Sequence, residues 1–201
     1  MANKVWDLED IPKGAKTVGC KWVYKTKRDS RGYIERYKAR LIAKGFTERE
    51  GIDYNETFSP VSTKDSFRII MANVAYFDLE LHQTDVMTAF LNGELSDKVY
   101  MAQLKGFVVK GKEKMGCHLK RSIYGLKQAS RQWYLNFDET VRSFGFRENE
   151  EDNCIYAKFR GGNYIFLILL YVDDILLASN DRNLLQETKR FLSSNFDMKD
   201  M

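Results

Sequence analysis

Two adjacent carboxylates, Asp173 and Asp174, stand in an uncomfortable place for charge. The run Tyr164-Ile165-Phe166-Leu167-Ile168-Leu169-Leu170-Tyr171-Val172 before them is almost wholly apolar, and Ile175-Leu176-Leu177-Ala178 resumes that character at once. Two β-rich runs joined by a two-residue polar break predict a tight hairpin of buried strands. Aspartate is a common turn residue, so turn chemistry alone is one reading. Hairpin turns favour Asn-Gly or Asp-Gly, however, because glycine accepts positive φ without steric cost. Asp-Asp gives up that ease and sets two like charges beside an apolar core, which is costly unless a cation is shared between them. The metal-site reading outweighs the turn reading on these residues. A third carboxylate, Asp85, ends the predicted short strand Leu81-His82-Gln83-Thr84-Asp85, which runs on through Val86 and Phe90 to a turn at Asn92-Gly93. A lone aspartate there is unremarkable, but one that complements Asp173 and Asp174 is not.

Other chemistry-bearing residues are poorly placed. Cys20, Cys117 and Cys154 are odd in number and far apart, so neither a disulfide framework nor a CxxC zinc site is indicated, and a reducing, intracellular setting fits. His82 and His118 are isolated and read as packed or surface residues. A metal-dependent nuclease would want a further histidine or carboxylate near the aspartate pair to position water, and no clear candidate is present.

The formal charge of +4 conceals alternating blocks. Residues 1–51 carry 13 Lys/Arg against 7 Asp/Glu, and residues 110–132 carry 7 against 1. Residues 52–109 carry 4 against 8, and residues 133–201 carry 8 against 12. A solvated surface produces such runs by itself. A polyanion-binding protein with a metal pocket produces them too, because phosphates need cations while the metal needs carboxylates. A chain of 201 residues with 44% hydrophobic content is one large domain or two small lobes with a real core. No apolar run reaches the roughly 20 residues that span a membrane, and the first residues lack the apolar stretch of a signal peptide.

The elements that must position the carboxylates are legible in outline. Lys21–Lys27 and Ile34–Ala43 predict a long hairpin around the turn Asp29-Ser30-Arg31-Gly32, with basic and aromatic residues interleaved. It reads equally as a grip on nucleic acid or triphosphate and as a lysine-protected edge hairpin. Past Pro60, Phe67, Ile70, Met71, Val74 and Ala75 repeat at helical spacing behind a cap at Ser62 or Thr63. Trp133, Phe137, Val141 and Phe144 mark a helix over about 130–144 closed by Gly145. Cys154–Phe159 predicts a strand, and Leu184, Leu185, Thr188, Phe191 and Leu192 a last helix capped near Asn180-Asp181. The order predicts an α+β fold, an antiparallel sheet with helices packed on one face.

Five blocks then carry a resemblance. Lys38-Ala39-Arg40-Leu41-Ile42-Ala43-Lys44-Gly45-Phe46, Gly51–Val61, Asp85-Val86-Met87-Thr88-Ala89-Phe90-Leu91-Asn92-Gly93, Tyr124–Tyr134 and Tyr171-Val172-Asp173-Asp174 occur in the order and spacing of the reverse transcriptases of copia-type LTR retrotransposons, which the chain resembles across nearly all its length. The resemblance implies a right-hand polymerase, with residues 1–61 as fingers and connector, 62–201 as palm, and an interleaved fingers segment near 95–130. It implies RNA-directed DNA polymerase activity, with Asp85, Asp173, Asp174 and the backbone carbonyl of Val86 holding two Mg²⁺ ions, for which Mn²⁺ can substitute. Arg40, with Lys25 or Lys27, matches the cations that grip the incoming triphosphate. Phe90 matches the aromatic residue that excludes a ribose 2′-hydroxyl, and Gln128 the glutamine lining the nucleotide pocket. The implied partners are an RNA or DNA template with primer and dNTPs, without a membrane. The implied compartments are the cytoplasm, a virus-like particle or the nucleus.

The chain departs from the family pattern at Met87, where lysine is usual, at Glu48, where glutamine is usual, and at Leu104, where proline is usual. Family members continue past Phe196–Met201 into a thumb and an RNase H domain, so the expectation is a fragment lacking both. An inactive remnant that only binds nucleic acid stands as the alternative to a working polymerase.

Overall fold

The computed structural model describes residues 4–200; Met1-Ala2-Asn3 of the amino-terminal segment and Met201 lie outside them. In chain order the elements are β1 (Trp6–Asp10), β2 (Cys20–Arg28), β3 (Ile34–Ala43), α1 (Lys64–Phe77), β4 (Glu80–Val86), β5 (Tyr100–Met101), β6 (Met115–Leu119), α2 (Ala129–Ser143), β7 (Arg147–Glu148), β8 (Ile155–Arg160), β9 (Asn163–Tyr171), β10 (Asp174–Ser179), α3 (Arg182–Asn195) and β11 (Met198–Asp200). They fall into two compact units, one of residues 1–58 and 93–132, the other of residues 59–92 and 133–201.

In the first unit β2 and β3 form the predicted hairpin, and β1, β6 and β5 form a separate three-stranded sheet. Two backbone bonds staple the end of the hairpin to the segment before α2: Ala43 N–H donates to the Tyr124 carbonyl at 2.8 Å and Gly45 N–H to the Gly125 carbonyl at 3.1 Å.

The second unit is built on an antiparallel sheet in the order β11-β4-β10-β9-β8-β7. Its helices start and stop where local chemistry requires. Thr63 caps α1 by accepting from Ser66 N–H at 3.1 Å, and Asp181 caps α3 by accepting from Leu184 N–H at 2.6 Å. Gly145, at φ +88°, follows α2 where a left-handed residue ends the helix. The buried Asp152 ties the entry to α1 to the start of β8, accepting from Thr63 N–H and from Cys154 N–H, each at 3.0 Å.

Successive residues of β9 and β10 point to opposite faces and both faces are covered. Ile165, Leu167, Leu169, Ile175 and Leu177 pack with Trp133, Phe137 and Val141 of α2 and Leu184, Leu185 and Leu192 of α3. Ile168 and Leu176 pack with Ile70, Met71 and Val74 of α1. The α+β class holds, but helices lie on both faces of the sheet rather than on one. The reason is visible in β9 itself, since a strand apolar at nearly every position needs cover on both sides. No helix among the described residues is long and apolar enough to cross a membrane.

Candidate active site

The second unit brings the three aspartates together through its backbone. β4 and β10 are antiparallel neighbours, and Asp85 and Asp174 are direct cross-strand partners. Residues so paired have Cα atoms about 4.5–5.5 Å apart with side chains on the same face. Asp173 is tied to the same strand, because its carbonyl accepts from Val86 N–H at 2.8 Å. All three aspartates are partly exposed, whereas Val86 is buried. Their side chains are not gathered into a ready-made cage: among the described residues no group of three or more His, Cys, Asp or Glu is arranged to hold a metal ion. What stands there is a pair of facing oxygen-donor groups with a third beside them. Two further residues line this face. Gln83 Nε2 donates to Asp174 Oδ1 at 3.5 Å, and Lys199 of β11 is the cross-strand partner of Asp85 on the side away from Asp174.

The turn between β9 and β10 comprises Val172 and Asp173, with Asp174 already the first residue of β10. The polar break is therefore shifted by one residue from the Asp173-Asp174 pair expected of the sequence. Val172 adopts φ +54°, which is uncommon for a β-branched residue. Asp173 N–H donates back to the Tyr171 carbonyl at 2.7 Å, closing a three-residue turn of the strained, positive-φ kind. The register also shifts, Asp174 pairing with Tyr171 but Ile175 with Leu169, so a bulge sits beside the carboxylates. After Val86 the chain reverses through Thr88 at φ +57° into a 3-10 turn over Ala89–Asn92, where Phe90 is half-buried against the main core.

The basic residues belong to the first unit, and the fold sorts charge more sharply than the linear blocks. Residues 1–58 and 93–132 together hold 22 Lys/Arg and 12 Asp/Glu, whereas residues 59–92 and 133–201 hold 10 and 16. Within the hairpin the register opposes Lys25 to Lys38, Lys27 to Arg36 and Val23 to Arg40, so Lys25, Lys27 and Arg40 share one face with further cations. Like charges directly opposite are destabilising unless something anionic lies across them. The other face carries Trp22, Tyr24 and Tyr37. Arg40 is braced by a cation–π contact, its Cζ 4.9 Å from the centre of the Tyr124 ring.

Gln128 is fully buried in the same unit, its Nε2 donating to the Asp53 carbonyl at 3.3 Å. Glu48 is buried as well; Oε2 accepts from Lys127 N–H at 2.9 Å, and among the described residues Oε1 and Gln128 Oε1 have no hydrogen-bond partner. Burial pushes the Glu48 carboxyl above the usual carboxylate range, outweighing the opposite pull of the Lys127 amide and of Gln128. A raised carboxyl stabilises the fold fully below the usual carboxylate range and loses that contribution as pH rises through its folded value. Glu48→Gln should therefore be more stable than the wild type at pH 8 by roughly 1 kcal/mol, with the advantage shrinking toward pH 4. Thermal melting of both proteins across that range checks it, and a difference independent of pH counts against a proton on Glu48.

The chain thus has one unit rich in cations and another that presents paired aspartates on adjacent antiparallel strands. Over residues 3–201 the sequence matches the family described as reverse transcriptase (RNA-dependent DNA polymerase), and the chain belongs to that family. It is 46% identical over 199 residues, 99% of its length, to the retrovirus-related Pol polyprotein from transposon TNT 1-94 of Nicotiana tabacum. It is 42% identical over 201 residues, its full length, to the retrovirus-related Pol polyprotein from transposon RE1 of Arabidopsis thaliana. The resemblance to copia-type reverse transcriptases is borne out. The chain spans 15% and 14% of the lengths of those two polyproteins. No solved structure matches it significantly.

The sequence reading missed Gln83, Lys199 and the contact of Trp133 with the Val172 carbonyl. The spacing Gln83-x-Asp85 places both side chains on one face of a strand and was available as a signal; the partners of Lys199 and Trp133 depend on long-range register and were not.

Proposed function

We propose that the chain is the fingers and palm of a right-hand RNA-directed DNA polymerase. Residues 1–61, with the segment near 95–130, act as fingers, and residues 62–201 act as palm. The reaction is nucleotidyl transfer from a dNTP to a primer 3′-hydroxyl on an RNA or DNA template. The observation that carries this reading is the cross-strand pairing of Asp85 with Asp174, beside a turn that anchors Asp173 to the Val86 amide. Facing carboxylates without a complete protein cage suit Mg²⁺, which keeps several waters and is held by one or two carboxylates plus substrate phosphates. Asp85, Asp173, Asp174 and the Val86 carbonyl are the groups that would hold it. The chemistry that Mg²⁺, as two ions, or Mn²⁺ in its place would supply there is activation of the attacking hydroxyl and neutralisation of charge on the leaving pyrophosphate. Arg40, Lys25 and Lys27 attract and orient the triphosphate through their shared cationic face. Gln128 would line the nucleotide pocket, its Nε2 bonded to the Asp53 carbonyl and its Oε1 without a partner among the described residues.

Phe90 is the residue that would discriminate against a ribose 2′-hydroxyl, for which an aromatic ring beside the sugar leaves no room. Its contact with the core supports the alternative of pure packing. Phe90→Val in an active protein should admit ribonucleotides at least about tenfold more readily, a change of about 1.4 kcal/mol in selectivity. A packing role predicts instead a stability loss of roughly 1–3 kcal/mol with sugar preference unchanged. Comparing ribo- and deoxynucleotide incorporation with melting of the same variant separates the two.

The test of the proposed function is primer extension by the purified protein on an RNA template with Mg²⁺ or Mn²⁺. Extension that Asp85→Asn removes supports the polymerase; salt-sensitive nucleic-acid binding without any extension makes the chain a binding remnant. The relationship to Pol polyproteins supports action in the cytoplasm, a virus-like particle or the nucleus.

A further inference from the structure

Trp133 is 1% exposed, and its ring packs against Phe137 and Phe196 with centroid separations of 5.5 and 5.1 Å. Phenylalanine would serve most of that packing. What tryptophan adds is an indole N–H, a donor that needs an acceptor when buried. That acceptor is the carbonyl of Val172, at the crest of the turn that carries the carboxylates.

Val172 at φ +54° is a conformation that persists only where its surroundings over-determine it. The surroundings do so peptide by peptide. The Tyr171 carbonyl accepts from Asp173 N–H at 2.7 Å, the Val172 carbonyl accepts from the Trp133 indole, and the Asp173 carbonyl accepts from Val86 N–H at 2.8 Å. The first of these bonds is internal to the turn and the third ties it to the neighbouring strand. Only the second comes from a helix, and it holds the carbonyl of the strained residue itself. Without it, the Val172–Asp173 peptide is left with the short Asp173 N–H bond within the turn, and its rotation about Val172 ψ and Asp173 φ would re-aim the two side chains that follow.

We propose that Trp133 is a positioning residue of the carboxylate site, its indole N–H locking the strained Val172 peptide and so fixing the directions in which Asp173 and Asp174 leave the turn. This rests on the metal-binding role proposed for those carboxylates, and the test keeps the two ideas apart. Trp133→Phe preserves the aromatic packing and removes the N–H; site-specific incorporation of 3-benzothienylalanine at position 133 removes only the N–H from the same bicyclic shape, should the phenylalanine variant fold poorly. Amide hydrogen exchange of the metal-free protein reads the turn directly. Exchange at Asp173 and Val86 should speed up at least about tenfold, while the interior amides of β8 and α3 stay protected. Mn²⁺ binding followed by electron paramagnetic resonance reads the site, with an expected weakening of about tenfold. Val172→Gly in the Trp133→Phe background should recover most of that affinity, because glycine holds positive φ without strain.

A residue that only fills the core would lower melting temperature without changing exchange at the turn or Mn²⁺ affinity, and Val172→Gly would not restore anything; that result overturns the proposal. A wild-type protein whose Mn²⁺ binding is indifferent to Asp85→Asn overturns the metal reading instead, and the exchange comparison then decides on Trp133 by itself.

Discussion

Asp173→Ala should abolish primer extension while leaving the protein folded. A metal-binding carboxylate contributes several kcal/mol of transition-state stabilisation in two-metal sites, and about 4 kcal/mol corresponds to roughly a thousandfold in rate. The same change removes one of three neighbouring negative charges, so the apo fold loses no attraction among them and gains relief from repulsion. Melting temperature should stay within about 2–4 °C of the wild type, the shift that 1 kcal/mol produces in a chain of this size. Steady-state extension assays and circular dichroism on the same preparation check both halves. Extension retained above a tenth of the wild-type rate would remove Asp173 from the site, whatever the melting shows.

The second large effect is structural. Gly125 sits at φ +93°, and a Cβ added there would lie 2.2 Å from the Ala43 carbonyl oxygen. Its partner in the staple is equally intolerant, since a Cβ on Gly45 would lie 2.0 Å from the Gly125 carbonyl oxygen. Gly125→Ala therefore combines the left-handed penalty of about 1–2 kcal/mol with a backbone collision that nothing flexible can absorb. We expect a loss above about 4 kcal/mol, in the range reserved for severe single substitutions, and unfolding of the unit that carries the cationic hairpin. Gly32→Ala is the control: it has a similar φ of +86° but open space around the added carbon, so only the conformational penalty remains. Limited proteolysis of the two variants should separate them, with Gly125→Ala cut early in residues 1–58 and Gly32→Ala resistant. Equal resistance would mean that the junction can shift.

Why some of this was legible before the structure, and some not, follows from the range of the forces involved. The β9–β10 hairpin announced itself because both strands are apolar at nearly every position, and the three helices because their caps, Thr63 and Asp181, and the closing Gly145 act within one turn. The same continuous apolarity also implied cover on both sides of the sheet, an inference the pattern of β9 licensed and the expectation of helices on one face overlooked. The one-residue shift of the turn was not encoded locally, since nothing in the preference of valine calls for positive φ; bonds from Val86 and Trp133 impose it. The short strands β1, β5, β6, β7 and β11 escaped for a related reason. At two to five residues each they have too little periodicity to stand out, and they exist because a neighbour offers a free edge. Asp85, Asp173 and Asp174 were found as residue types in family blocks, but their juxtaposition is a property of register between β4 and β10.

That register has a consequence for how the molecule comes into being. β4 is flanked by β10 and β11, so Asp85 pairs with residues 89 and 114 positions further along the chain. Contacts of such separation form slowly, because long loops must close before any pairing rewards them. During synthesis Asp85 emerges early and waits, unpaired, until the last quarter of the sequence has been made. A ribosome that stops before Asp174 releases a chain with its cationic hairpin complete and its carboxylate pair unformed. An early stop would therefore part the two features, keeping the cationic hairpin while the pairing of Asp85 with Asp174 never forms.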